Sequence, residues 1–139
     1  MLKTAGYDKV EKEAQAAAAV NFTYKEGCKV KIKKDSFFRS REKVAEMWDI
    51  KCLNCNAKVL LYQKDGRGRL HRCYLNRIFD PDSYSSLQDT VQSKKEMPLL
   101  KCQSCNETIG YPTLHWEGRL AFLLVHGKWY YEKSKIKGI

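Results

Sequence analysis

Two short stretches, Cys52-Leu53-Asn54-Cys55 and Cys102-Gln103-Ser104-Cys105, constrain this chain more than anything else in it. Two residues between cysteines let a tight turn aim both sulfurs at one point, and two such turns complete a tetrahedral four-thiolate shell suited to Zn²⁺. The surroundings match as well. Ile50-Lys-Cys-Leu-Asn-Cys-Asn56 is echoed by Leu100-Lys-Cys-Gln-Ser-Cys-Asn106, and each motif is approached through an extended apolar segment, residues 48–51 and 98–101. A lone C-x-x-C would say little, whereas two in one context point to a structural zinc site on Cys52, Cys55, Cys102 and Cys105. An iron site of rubredoxin type, a redox dithiol pair and unconnected core cysteines are the alternatives that spacing leaves open.

With 139 residues, the chain makes one modest domain plus extensions, and a metal would help fix a core of that size. We divide it into an N-terminal helix and basic arm (1–47), a zinc-binding β domain (48–133) with a polar excursion at 80–97, and a basic, peripheral tail (134–139). The expected class is mainly β: zinc knuckles and β-hairpins behind an N-terminal helical extension.

The formal charge of +10 favours anionic partners: RNA, DNA, or an acidic protein or lipid surface. Its placement is uneven, because residues 51–79 carry seven Lys or Arg against one acid while residues 80–97 carry two against four. Residues 1–20 lack the continuous apolar core of a signal peptide, so the six cysteines are read as belonging to a reducing, intracellular compartment rather than to a secreted disulfide framework. No apolar run approaches the roughly 18 residues of a membrane span. The N-terminus has no Arg and carries Asp8, Glu11 and Glu13, unlike a mitochondrial presequence, although mitochondrial residence stays open.

Taken in order, residues 7–20 are strong helix formers rich in Ala, with Asp8 at the positive end of the helix dipole. Such a helix buries little and needs a surface to lie on, which suggests life inside an assembly. In the basic tract at 25–43, Lys29, Lys31 and Lys33 alternate with Val30 and Ile32 at strand period, followed by Lys34 and by Phe37-Phe38-Arg39. An edge strand guarded by lysines and a phosphate-contacting arm both fit this tract. Ser40 is placed to cap a short helix over 41–47. Residues 57–63 read as a strand, 64–68 as a Gly-containing turn, and 69–75 as the returning strand of a hairpin whose tip gathers Lys64, Arg67 and Arg69, with Arg72 beyond. After a Ser-rich excursion opened by Asp80-Pro81, with a short helix expected from Ser86, residues 107–113 read as a strand. Residues 119–125 and 128–132 form a final hairpin rich in Phe122, Trp129, Tyr130 and Tyr131.

The succession knuckle, hairpin, knuckle, hairpin over 48–133 resembles a zinc ribbon. The segment from Leu100 to Tyr111, together with Gly66-Arg-Gly-Arg-Leu-His-Arg-Cys-Tyr-Leu75, is similar to the yippee-like and cereblon-type zinc β-tent domains. Those domains join two C-x-x-C pairs across a long β insertion. The resemblance implies zinc on Cys52, Cys55, Cys102 and Cys105 and nothing further. Trp116 and Trp129 lie beyond the second knuckle without identifiable partners, so no small-molecule substrate is expected. Residues 64–78 also resemble a segment of small bacterial zinc-ribbon proteins, which carries no function.

His71 and Cys73 share a strand face but lack two further ligands, so Cys73, like the isolated Cys28, is read as a structural thiol. A closed four-thiolate site leaves no position for a hydrolytic water, and the chain has no nucleophile elbow, phosphate-binding Gly loop or H-E-x-x-H, so catalysis is not expected. Two functional expectations remain. The first is a zinc-stabilised structural subunit that binds RNA, as a ribosomal or ribonucleoprotein component, through Lys29, Lys31, Lys33, Lys34, Arg39, Lys64, Arg67, Arg69 and Arg72. The alternative is an accessory subunit of an organellar respiratory membrane complex, where the cations meet acidic neighbouring subunits or lipid headgroups.

Overall fold

The computed structural model describes residues 22–25, 27–115 and 118–139. The expected helix at 7–20 lies outside them, as does Trp116. The fold is mainly β, as the patterning predicts, and is built from two four-stranded antiparallel sheets with strand orders β5-β3-β2-β9 and β4-β8-β7-β6. The strands of the first sheet are β2 (Ala45–Cys52), β3 (Lys58–Asp65), β5 (Ile78–Asp80) and β9 (Trp129–Lys133). Those of the second are β4 (Arg72–Tyr74), β6 (Leu100–Lys101), β7 (Thr108–His115) and β8 (Arg119–Leu124). A parallel two-stranded ribbon pairs β1 (Lys29–Val30) with β10 (Lys137–Gly138).

The strands expected over 57–63 and 107–113 are present, but neither expected hairpin closes on itself. β3 pairs with β2 and β5, while the returning segment leaves the sheet and β4 pairs with β8. In the same way β9 pairs with β2 instead of β8, setting Ile50 beside Tyr131 and Cys52 beside Trp129. Each half of the chain therefore hands one strand to the other half's sheet. The physical reason is burial. β3 is apolar on both faces, with Leu60 and Tyr62 turned to one core and Leu61 to another, so it sits centrally and is covered from both sides.

The larger core lies between the sheets, where Ile50, Leu60, Tyr62 and Ile78 meet Leu100, Ile109 and Phe122. The smaller core lies on the outer face of the first sheet, where Val30, Met47, Leu61 and Ile136 pack with Ile32 and Phe79. Ile136 is only 3% exposed, so the tail expected to be peripheral is part of this core and is held by its pairing with β1.

The basic tract is likewise tied down. The buried Asp80 carboxylate accepts the Thr23 and Tyr24 backbone N–H groups at 2.8 and 2.9 Å. The Gln63 amide bridges Lys33, accepting from its N–H at 2.7 Å and donating to its carbonyl at 2.9 Å. Buried polar groups that complete their hydrogen bonds in this way hold a strap without costing stability.

The short helix is Ser36–Ser40, capped by Asp35, whose Oδ1 accepts the Phe38 N–H at 3.0 Å; the expected helix over 41–47 is absent. Glu42 and Lys43 take left-handed backbone angles that no helix tolerates, and the chain from Ala45 instead completes the ladder with β3. The strand expected through 29–34 is confined to Lys29–Val30.

The polar excursion folds as three single turns, Asp82–Ser85, Leu87–Thr90 and Lys94–Glu96. It is anchored by Tyr84, whose hydroxyl accepts the Lys101 N–H at 3.1 Å and whose ring meets Phe122 edge-on.

Candidate metal centre and basic surface

Each sheet contributes one knuckle. Cys52 ends β2, and Cys55 lies in the turn to β3; Cys102 follows β6, and Cys105 lies in the turn to β7. The sequence echo is carried into geometry bond for bond. Cys52 N–H donates to Ala57 O at 2.9 Å and Asn56 N–H to Cys52 O at 2.7 Å, while Cys102 N–H donates to Glu107 O at 2.9 Å and Asn106 N–H to Cys102 O at 2.7 Å. Both ladders shift register at the same place, between Ile50 and Lys51 and between Leu100 and Lys101. Asn56 and Asn106 close the knuckles with φ of 66° and 68°, a left-handed conformation that Asn accepts more readily than other non-glycine residues.

These two turns bring the four sulfurs within 4.8 Å of one another, with Cys52–Cys105 at 3.6 Å and Cys55–Cys102 at 3.5 Å. A tetrahedral zinc with bonds of about 2.3 Å sets its sulfurs about 3.8 Å apart, so the donor set and its spacing fit a metal ion of that kind. Burial pushes the Cys102 thiol up to about 12 and raises Cys52 as well. Burial also works against the Cys105 thiolate, but the Asn54 amide, 3.4 Å from its sulfur, and the Glu107 backbone outweigh it and bring the group to about 7. Four thiols so placed become four thiolates only with a cation among them.

Among the described residues no other group of three or more His, Cys, Asp or Glu side chains converges in this way. Cys73 is fully buried and its thiol is raised well above the ordinary value by burial alone, as an inert structural cysteine should be, while Cys28 is exposed.

No protein family, curated protein or solved structure matches this chain. The metal centre therefore rests on its own geometry. No helix among the described residues is long and apolar enough to cross a membrane.

Of the cations singled out in the sequence, Lys29, Lys31, Lys34, Arg39, Arg67 and Arg69 are exposed. Lys33 is half-buried and donates to Gln88 at 2.7 Å, and burial lowers its pKa. Lys64 is not presented to solvent at the loop tip. It is 5% exposed and its ammonium donates to the Asp65 and Gly66 carbonyls at 3.0 and 3.2 Å, with its pKa lowered by burial.

The fold joins the end of the basic arm to the Gly66–Gly68 loop. Gly66 N–H donates to Val44 O at 2.7 Å, and Arg67 pairs with Glu42 at 3.1 Å. Arg69 and Arg72 share a hollow of about 180 Å³ with Arg41 and Arg119, two residues that sequence reasoning missed. Arg119 is held flat between Phe37 and Tyr74, 3.8 and 3.7 Å from their ring centres. Arg41 had a signal in the surrounding basic tract, but Arg119 had none, since only the β4–β8 pairing and the docked arm bring its neighbours together.

A second concave site was also invisible in the sequence. A cleft of about 690 Å³ opens between the inner face of the first sheet, carrying Glu46, Trp48, Trp129, Tyr131 and Lys133, and the loop leading to β4. Trp48 and Tyr131 stack at 3.6 Å, 6° from parallel, and the Trp48 indole N–H donates to Glu46 at 2.8 Å. The β2–β9 pairing thus sets Trp48 against Tyr131 in the cleft that Trp129 also lines.

Proposed function

We propose that this protein is a non-catalytic, zinc-stabilised structural subunit of a larger assembly that binds RNA through its basic face. The observation that carries the reading is where folding puts the charges. Four carboxylates are engaged by the fold itself: Asp80 holds the strap, Asp35 and Asp65 flank the buried Arg77 at 2.7 and 2.8 Å, and Asp49 pairs with Lys58 at 3.4 Å. Lys29, Lys31, Lys34 and Arg39 of the arm and Arg67 and Arg69 of the loop stay outside, so the face that a polyanion meets there is rich in cations. Zinc is the metal best suited to the four-cysteine shell, and a closed shell of that kind stabilises a fold without offering a site for chemistry.

The test is purification from the native source, with nuclease treatment before sizing and metal analysis of the same fraction. Release from a heavy particle by nuclease, with about one zinc per chain, is the expected result. A heavy particle untouched by nuclease would overturn RNA binding and favour acidic subunits or lipid headgroups as the anionic partner. Iron instead of zinc would overturn the metal assignment alone.

A further inference from the structure

We infer that the cleft between the two sheets is a nucleotide site, taking an unpaired base of single-stranded RNA stacked on Tyr131 with its flanking phosphates against Arg67 and Arg69. The inference deepens the RNA-binding reading and rests on it, adding which form of RNA is bound and where. Its first support is a platform already assembled. Trp48 is 8% exposed, locked by its bond to Glu46 and stacked on Tyr131, which is itself 46% exposed and lines the cleft. A flat, rigid ring supported from behind is what base stacking needs, and it accepts any base.

The second support is charge. Arg67 and Arg69 stand on the rim, both exposed; Arg67 pairs with the exposed Glu42 at 3.1 Å, a surface pair that a phosphate can displace, and Arg69 makes no ion pair among the described residues. The carboxylate in the lining, Glu46, is already engaged by the Trp48 indole through one oxygen and by Lys133 at 3.3 Å through the other, so it does not oppose an incoming phosphate. The third support is access. Gly68, between the two arginines, has nothing within 4 Å of where a Cβ would stand, so the backbone there can approach a sugar-phosphate chain closely. At about 690 Å³ the cleft falls within the usual range for ligand sites, roughly 300–1,000 Å³. A duplex, its bases already paired, could not present a free face to Tyr131.

The experiment titrates the full, metal-loaded chain with a short unstructured oligoadenylate and with a duplex RNA of equal length, reading tryptophan emission and affinity at two salt concentrations. Oligoadenylate is expected to bind more tightly and to quench emission. Tyr131→Ala should weaken it roughly 5- to 150-fold, while Tyr131→Phe keeps the affinity. Arg69→Ala should lower the slope of log affinity against log salt by about 0.7.

If both RNAs bind but Tyr131→Ala changes nothing, if Tyr131→Phe falls as far as Tyr131→Ala, or if the duplex is preferred, this inference is overturned and RNA binding stands. If neither RNA binds, both fail. Should Tyr131→Ala unfold, Arg67→Ala combined with Arg69→Ala carries the test, since both side chains are exposed; an unchanged affinity and salt slope would refute the site.

Discussion

Replacing Arg77 by Met should loosen the stretch of the arm around Asp35 from the first sheet. The Arg77 side chain is 1% exposed and forks to Asp35 at 2.7 and 3.1 Å while its Nε donates to Asp65 at 2.8 Å. Methionine keeps most of the volume and leaves the two carboxylates without the cation that bridges them. Breaking a buried ion pair costs about 3–5 kcal/mol. Asp35 is 39% exposed and can regain water, so we place the loss at the low end, about 3 kcal/mol at neutral pH.

Part of that loss titrates. The Arg77 hydrogen bonds, the largest cause, act with the Phe38 N–H and against burial to bring the Asp35 carboxyl from 3.8 to about 2. Undiscounted, the shift corresponds to about 2.4 kcal/mol; with solvent screening of a side chain this exposed, about 1–1.5 kcal/mol is realistic. A depressed carboxyl stabilises the fold fully above its unfolded pKa, and that contribution fades as pH falls from about 4 towards about 2. Urea denaturation of wild type and Arg77→Met at neutral pH and at the lowest pH at which both still hold their metal reads both quantities. A penalty below about 1 kcal/mol at neutral pH, or one that does not shrink on acidification, would refute this account of the network.

The metal centre and the core make further predictions. Cys102→Ser should lose the metal and the packing of the two sheets, whereas Cys73→Ser should keep both; equal metal content in wild type and Cys102→Ser, by elemental analysis, would rule out the assigned ligands. Asn56→Ala and Asn106→Ala should each destabilise the metal-loaded protein by about 1 kcal/mol in thermal melts, and the corresponding glycine variants should not, because the left-handed backbone is what the knuckle requires. Gly110→Ala would set a Cβ 3.1 Å from the Leu123 carbonyl and 3.3 Å from Phe122 Cβ in a filled core, so a loss of about 1–3 kcal/mol is expected in denaturant titrations.

The knuckles were legible in the sequence because their chemistry is local: spacing aims the sulfurs, and the repeated Lys-Cys and Cys-Asn frames fix the same hydrogen bonds twice. Strand identity was legible too, since the apolar runs at 57–63 and 119–125 fold as β3 and β8. Pairing was not. A turn signal such as Gly66-Arg67-Gly68 marks where the chain bends, not whether the next strand returns to the one it left, and here the burial of both faces of β3 and the edge offered by β8 decide otherwise. The aromatic cleft was hidden for the same reason, since Trp48 and Tyr131 meet only through the β2–β9 ladder. The strap at 22–33 was hidden because its anchors, Asp80 and Gln63, look like ordinary surface residues until they are seen buried.

The exchange of strands between the sheets has a kinetic side. β9 is made long after β2, yet it closes the edge of β2, and the second knuckle likewise appears long after the first. Contacts of such long sequence separation must wait for costly loop closures, so folding is slow and has no stable half-way domain. While the chain is being synthesised, β2 presents an open edge next to exposed Trp48 and Ile50, the sort of template on which chains aggregate. A chain ending at residue 127 is therefore expected to be insoluble, not merely less stable. During synthesis a cation shared by residues 52 and 102 would act as a tether, shortening the search for everything that follows.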